Sequence, residues 1–387
     1  MTSSHIITKP MIKKTLTIAG CCLLSLASHA AAIHDGETAL TDNQQAQQQT
    51  SKTIRNGELW PDDNGRHINA HGGGIMKYGD TYYWFGEHKD DHTCDALVGV
   101  MCYASKDLLN WHCCGVALSV VDEKGHDIER GCILERPKVI YNPTTKKFCM
   151  WFHLELKGQG YNAARYGVAV ADRPEGPYRF LYSQRANAAT WPVEGSPMNY
   201  DEFLKRDYRT GQMSRDMTLY IDDDGKAYHI FSSEENMTLH IAELTGDYLH
   251  HTGRYTRMAP GGQNEAPAIF KHDGTYWMIT SGCTGWAPNE ARMFSAPSIW
   301  GPWTQHPNPC VGPNAAKTFN GQSTFVLALG SDKPSDGQSA EPSDRPAFIF
   351  MADIWRPQHP SDSRYFWLPI EFEKGVPVLR WRDKWTP

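Results

Sequence analysis

The chain has 387 residues, 40% hydrophobic, 21% charged and 11% aromatic, which excludes a disordered, collagen-like or coiled-coil protein and fits one with a large core. A formal net charge of −6 argues against electrostatic binding to nucleic acid or to an anionic membrane, because either needs a concentrated basic face. The 13 Trp, 17 Tyr, 14 Phe, 33 Gly and 24 Pro suit a turn-rich β protein whose rings can serve as platforms for an uncharged partner such as a sugar.

Residues 1–30 read as an export signal: Lys9, Lys13 and Lys14 precede the apolar run Leu16 to Leu26, and Ser28-His29-Ala30 supplies small residues for cleavage. The run is too short to span a bilayer, so the mature chain is expected to start near Ala31 and to be periplasmic or secreted. Ile18-Ala19-Gly20-Cys21 also fits a lipoprotein signal, and a lipid anchor at Cys21 is the second reading. Residues 31–53, rich in Gln, Thr and Asp, read as a flexible lead-in, and 54–387 as the folded domain. Of ten cysteines, two fall in the signal. The remainder show no Cys-x-x-Cys or His/Cys metal spacing, and their pairing cannot be assigned. Cys102 and Cys149 lie in apolar stretches and are expected as buried free thiols.

From Ile54 onward an aromatic, β-branched strand behind a polar turn recurs five times: Gly79–Phe85, Lys146–Phe152, Gly225–Phe231, Gly274–Ile279 and Pro346–Met351. A second phrase, strand, polar turn and aromatic restart, follows at Cys102–Trp111, Val170–Tyr178 and Phe294–Trp303. The span to Trp385 divides into about 66 residues per unit, room for a four-stranded antiparallel blade with loops, so the repeat predicts an all-β, five-bladed β-propeller. A β-sandwich, the competing fold, leaves the recurring phrase unexplained. Asp222-Asp223-Asp224-Gly225 reads as a turn between strands rather than an EF-hand loop. Glu234-Glu235-Asn236 and the segment 330–346 read as solvated loops.

In a propeller the innermost strands line a central channel, so polar residues just before each apolar run are the site candidates. These segments open with His71, Glu135, Asp216, Glu265 and Gln322. Ile68-Asn-Ala-His-Gly-Gly-Gly-Ile75, Tyr83-Trp-Phe-Gly-Glu87, Glu135-Arg-Pro-Lys-Val139, Ile221-Asp-Asp-Asp-Gly225, Glu265-Ala-Pro267, Ser281-Gly-Cys-Thr-Gly-Trp-Ala-Pro-Asn289 and Trp355-Arg-Pro357 together resemble glycoside hydrolase family 43. The resemblance runs from about Ile54 to Trp385 and is closest to the branch containing exo-β-1,3-galactanases.

That resemblance implies an inverting glycosidase that removes galactose from β-1,3-galactan, the backbone of arabinogalactan; the lack of a metal motif points to cofactor-free chemistry without a catalytic metal, with a structural ion in the channel left open. It implies Glu265 as general acid, Asp216 as the residue that tunes and orients it, and Glu135 as the acceptor for the sugar C2 hydroxyl. Trp286 would stack on the sugar, with Thr284, Tyr161, Glu87, His71, Asp353 and Arg356 as further lining residues. Arg136, beside Glu135, gives that glutamate an alternative role in a structural ion pair, and His71 could equally close the first blade. The chain departs from the family where the aspartate base usually stands, which here reads His71-Gly72-Gly73. The galactanase branch shares this departure and places a glutamine at Gln322. Inversion calls for about 6.5–9.5 Å between acid and base, which opposite channel walls can provide. An amide is a poor base, so Gln322 either passes a proton as its imidic tautomer or orients water for another acceptor. The competing functions are an α-L-arabinofuranosidase or β-galactofuranosidase, and a non-catalytic glycan-binding propeller. A monomer is expected.

Overall fold

The structure, a computed structural model, describes residues 51–329 and 347–387; the segment read as an export signal, most of that read as a lead-in, and 330–346, read as a loop, lie outside them. Five antiparallel sheets form the blades of a propeller. The first comprises His71–Tyr78, Thr81–Glu87, Gly99–Ser105 and His112–Ser119, and the second Ile133–Asn142, Lys147–Glu155, Arg165–Ala171 and Arg179–Gln184. The third holds Met217–Ile221, Ala227–Ser233, Thr238–Leu244 and His251–Met258, and the fourth Asn264–His272, Thr275–Gly282, Arg292–Ala296 and Thr304–His306. The fifth holds Gln322–Ala328, Phe348–Ile354, Arg364–Glu373 and Val376–Arg380, with Cys310–Val311 added in parallel at its outer edge. The sandwich alternative is thereby excluded. The five recurring aromatic strands are the second strand of each blade, and their large side chains, Trp84, Trp151, Phe231, Trp277 and Phe350, are buried. Among the described residues the α-helix is confined to Glu202–Arg206, and no helix is long and apolar enough to cross a membrane.

The ring closes where the first and last strands of the described domain meet. Ile54–Arg55 pairs with Lys384–Trp385. The Asn56 side chain docks on the fifth blade, accepting from the Trp367 N–H at 2.8 Å and donating to the Trp367 carbonyl at 3.0 Å. Trp60, Trp84 and Trp367 pack edge to face at this seam, with ring centroids 4.9–6.1 Å apart.

Four inner strands carry a β-bulge at the channel mouth. His71, Glu135 and Glu265 each pair in register with the neighbouring strand, after which two residues oppose one. Gly72 (φ +58°), Arg136 (φ +55°) and Ala266 (φ +54°) take up the left-handed backbone there. Pro137 and Pro267 follow, where the interrupted ladder needs no N–H. The fifth blade bulges between Ser323 and Phe325. Asp222–Gly225 is the turn between the first two strands of blade three, closed by the Gly225 N–H on the Asp222 carbonyl at 2.9 Å. Glu234 corrects its expectation of a solvated loop. It is wholly buried, paired with Arg257 at 2.7 Å and with His240 at 2.7 Å, because three left-handed residues, Glu234, Glu235 and Asn236, turn its side chain inward. Glu235 stays half-buried and pairs with Arg206 at 2.9 Å. All eight described cysteines are free thiols, and Cys102 and Cys149 are buried.

Candidate active site

Glu265 is the second residue of the fourth inner strand. Burial, joined by the adjacent Asp216 carboxylate, pushes its carboxyl up to about 7 against the pull of Arg136. A carboxylic acid still holding its proton near neutrality can deliver it. Asp216 precedes the third inner strand and is fixed beside the acid by the Ala266 N–H at 3.1 Å and by Arg136 Nη2 at 3.0 Å.

Gln322 opens the fifth inner strand with the four hydrogen bonds of its amide all made. Nε2 donates to Glu265 Oε1 at 3.0 Å and Ser281 Oγ at 2.9 Å, while Oε1 accepts from Arg136 Nη2 at 2.6 Å and Trp355 Nε1 at 2.9 Å. Arg136 and the indole have only N–H to offer, which fixes the amide's orientation. The expected separation across the channel is not what the structure has. Glu265 and Gln322 touch, because blades four and five are neighbours in the ring, and a sugar seated between them must break this bond.

A second cluster surrounds Glu135. It accepts from Tyr161 Oη at 2.9 Å and lies 3.2 Å from His153 Nδ1 and 3.6 Å from Lys89 Nζ. Burial would raise Glu135, but Lys89, His153 and Tyr161 outweigh it and hold the carboxyl down at about 2. Glu87 shares Lys89 at 2.7 Å, and burial with the nearby Glu135 charge lifts it to about 7 despite that partner. Arg136 does not pair with Glu135 as its position in the sequence suggested. The bulge turns its guanidinium away to Asp216, Gln322 and the Ser323 carbonyl, the last at 2.8 Å. Ligand atoms of Glu135, His153 and Asp216 come within 4.8 Å of one another. The other His153 nitrogen is 3.0 Å from Glu155, and its two carboxylate partners overcome burial to raise it to about 9.

Beside Gln322 lies an open hollow lined by Ser281, Trp286, Asn289 and Trp355. Trp286 is 38% exposed and meets Trp355 edge on at 5.4 Å, leaving a ring free for a sugar. The remaining candidates brace this arrangement. His71 is corrected as a sugar contact: it is fully buried and stacked on Tyr365 at 5.1 Å. Asp353 is buried too, accepting from the Gly72 N–H at 2.7 Å. Thr284 donates to the Ala287 carbonyl at 2.6 Å, and Arg356 pairs with Asp362 on its own loop. At Gly72, within the segment where the aspartate usually stands, a Cβ would stand 2.5 Å from Glu87 Oε1.

Sequence reasoning missed Lys89 and His153. His153 is the cross-strand partner of Glu135, a pairing that only the folded sheet displays. Lys89 signalled itself solely as a cation two residues beyond Glu87.

The family model for glycosyl hydrolases family 43 matches residues 71–326. The chain belongs to that family. Among solved family 43 structures, a β-1,3-galactosidase crystallised with galactodeoxynojirimycin is 55% identical, with 86% of this chain and 100% of that one covered and a TM-score of 0.79. The exo-β-1,3-galactanase of Phanerochaete chrysosporium, solved with β-1,3-galactotriose, is 34% identical over 87% of this chain and 68% of its own, with a TM-score of 0.72. That of Clostridium thermocellum is 34% identical over 86% and 66%, with a TM-score of 0.71. A curated Vibrio xylan 1,3-β-xylosidase is 25% identical over 80% of this chain and 54% of its own length. An Aspergillus niger β-D-galactofuranosidase is 26% identical over 43% and 45%. The chain spans about half the length of these curated relatives.

Proposed function

We propose that the protein is an exo-acting β-1,3-galactanase that releases galactose from the non-reducing end of β-1,3-galactan with inversion. The observation that carries this reading is Glu265, held up near neutrality by burial and Asp216 and hydrogen-bonded to Gln322, in a propeller 55% identical to a β-1,3-galactosidase.

Glu265 gives its proton to the glycosidic oxygen as the bond to C1 breaks, and water attacks C1 from the opposite face. Glu135, held ionised, is suited to accept a hydrogen bond from the sugar C2 hydroxyl, which strengthens as positive charge develops on the ring. Gln322 orients the water, and the proton the water sheds as its oxygen bonds to C1 passes to solvent in the open hollow beside Gln322 rather than to the amide. Arg136 and Trp355 both donate to its Oε1, so an imidic O–H would find no acceptor there, and this favours an orienting amide over a proton-carrying tautomer. Trp286 forms the stacking wall.

The proposal extends to a monomeric enzyme exported through the signal read in residues 1–30. The test is Glu265→Gln: it should lower kcat on β-1,3-galactobiose by about 10²–10⁴-fold while binding persists. Wild-type activity confined to an arabinofuranoside or galactofuranoside, or turnover retained in the variant, would overturn the reading.

A further inference from the structure

Lys89 lies two residues beyond the second strand of blade one, and its backbone is gripped by a single side chain. Asn69 Oδ1 accepts its N–H at 2.8 Å, and Asn69 Nδ2 donates to its carbonyl at 2.8 Å. The residue is only 3% exposed, and its ammonium stands where four site residues converge. Nζ is 2.7 Å from Glu87 Oε2 and 3.6 Å from Glu135 Oε1, and it faces the rings of Trp286 and Trp355 with 5.9 Å and 6.0 Å to their centroids. Those two rings line the open hollow beside Gln322, so a sugar stacked on Trp286 brings its hydroxyls within reach of the ammonium. The ion pair has bonding capacity left for one. An ammonium carries three N–H groups, and Glu87 Oε2, buried with it, has no hydrogen-bond partner beyond Lys89. One hydroxyl can accept from Lys89 and donate to Glu87 at once.

We propose that Lys89, paired with Glu87, is a specificity-determining residue: it binds the free C3 hydroxyl of the terminal galactose and so confines cleavage to the chain end. This rests on the reading of the protein as a β-1,3-galactanase with Glu135 at the C2 hydroxyl. Glu135 belongs to blade two, with Asp216, the neighbour of the acid, before the first strand of blade three on one side and Lys89 of blade one on the other. With C2 at Glu135, the side of the acid takes C1, the reacting carbon, and the side of Lys89 takes C3. In a β-1,3-linked chain every galactose but the terminal one carries the next sugar on its C3 oxygen. Such an oxygen has no proton for Glu87, and the buried Lys89–Glu87 pair is a closed wall that leaves the added sugar no way out.

The test is kcat/KM on β-galactosyl fluoride and its 3-deoxy analogue for wild type and Lys89→Met, with the 3-O-methyl analogue and β-1,3-galactobiose added for wild type. Wild type should prefer the parent fluoride to the 3-deoxy sugar by about 10–100-fold, the size of a hydrogen bond to a charged group, and Lys89→Met should shrink that preference to about threefold or less. The preference is a ratio within one preparation, so a variant that is slow or partly unfolded still reads it. If Lys89→Met does not fold, wild type decides alone: it should take the 3-O-methyl sugar about 100-fold more slowly than the parent. Wild type that takes the 3-deoxy or 3-O-methyl sugar as readily as the parent, or Lys89→Met that keeps the wild-type preference, overturns the proposal. Wild type inactive on β-1,3-galactobiose and β-galactosyl fluoride alike overturns the galactanase reading, and the proposal with it.

Discussion

On the proposed reading Glu265 must be protonated to act, and its proton is held to about 7, which limits the reaction on the alkaline side. Activity should fall as pH rises through that value. Burial and the Asp216 charge raise Glu265 while Arg136 lowers it, so Asp216→Asn removes one of the two raising influences and leaves burial alone against Arg136. The alkaline limb of kcat/KM should then move to lower pH, with kcat reduced at neutrality, and a pH–rate profile reads both effects. Glu265, Asp216 and Gln322 stood out in the sequence because each lies at or just before the start of an apolar strand within a recognisable phrase. Their partners did not. Arg136 was visible beside Glu135, yet its guanidinium serves Asp216 and Gln322, and His153 meets Glu135 only through strand pairing.

The recurring device is the bulge after the first residues of an inner strand, which aims a polar side chain into the channel while the remainder of the strand packs. Arg136 and Ala266 adopt a left-handed backbone that costs on the order of 1 kcal/mol or more for a residue with a Cβ, so the surrounding blades must hold them there. At Gly73 the constraint is distance: a Cβ would stand 1.9 Å from the Phe85 carbonyl oxygen. Since backbone cannot yield as a side-chain tip can, Gly73→Ala should destabilise the protein by about 3 kcal/mol or more, seen as a large drop in Tm. The strands were legible from their aromatic, β-branched runs and polar turns. The bulges were not, because two residues opposing one is a property of a pair of strands. Glu234 was misjudged for a related reason: a run of acidic residues reads as solvated until the fold supplies a buried Arg257.

At the scale of the molecule, a ring of blades is stable only if its first and last parts are joined. The joint is made by Ile54–Arg55 on Lys384–Trp385 and by Asn56, whose Nδ2 also donates to the Arg382 carbonyl at 2.8 Å. Asn56 is buried, and Asn56→Ala would leave the Trp367 N–H and carbonyl without their partner, a loss of about 2–4 kcal/mol. Thermal unfolding should show the lower Tm, while kcat at 25 °C stays near wild type because the joint lies away from Glu265. Five units were countable from the sequence, but the seam was not, since its contacts span more than 300 residues. The same scale explains why Glu265 and Gln322 touch rather than face each other: their blades are adjacent. The most direct test of the account is proton NMR of the protein acting on β-1,3-galactobiose and β-1,3-galactan, following the anomer of the sugar first released. The account predicts α-galactose before mutarotation; β-galactose as the first product, or turnover of furanosides alone, would contradict it.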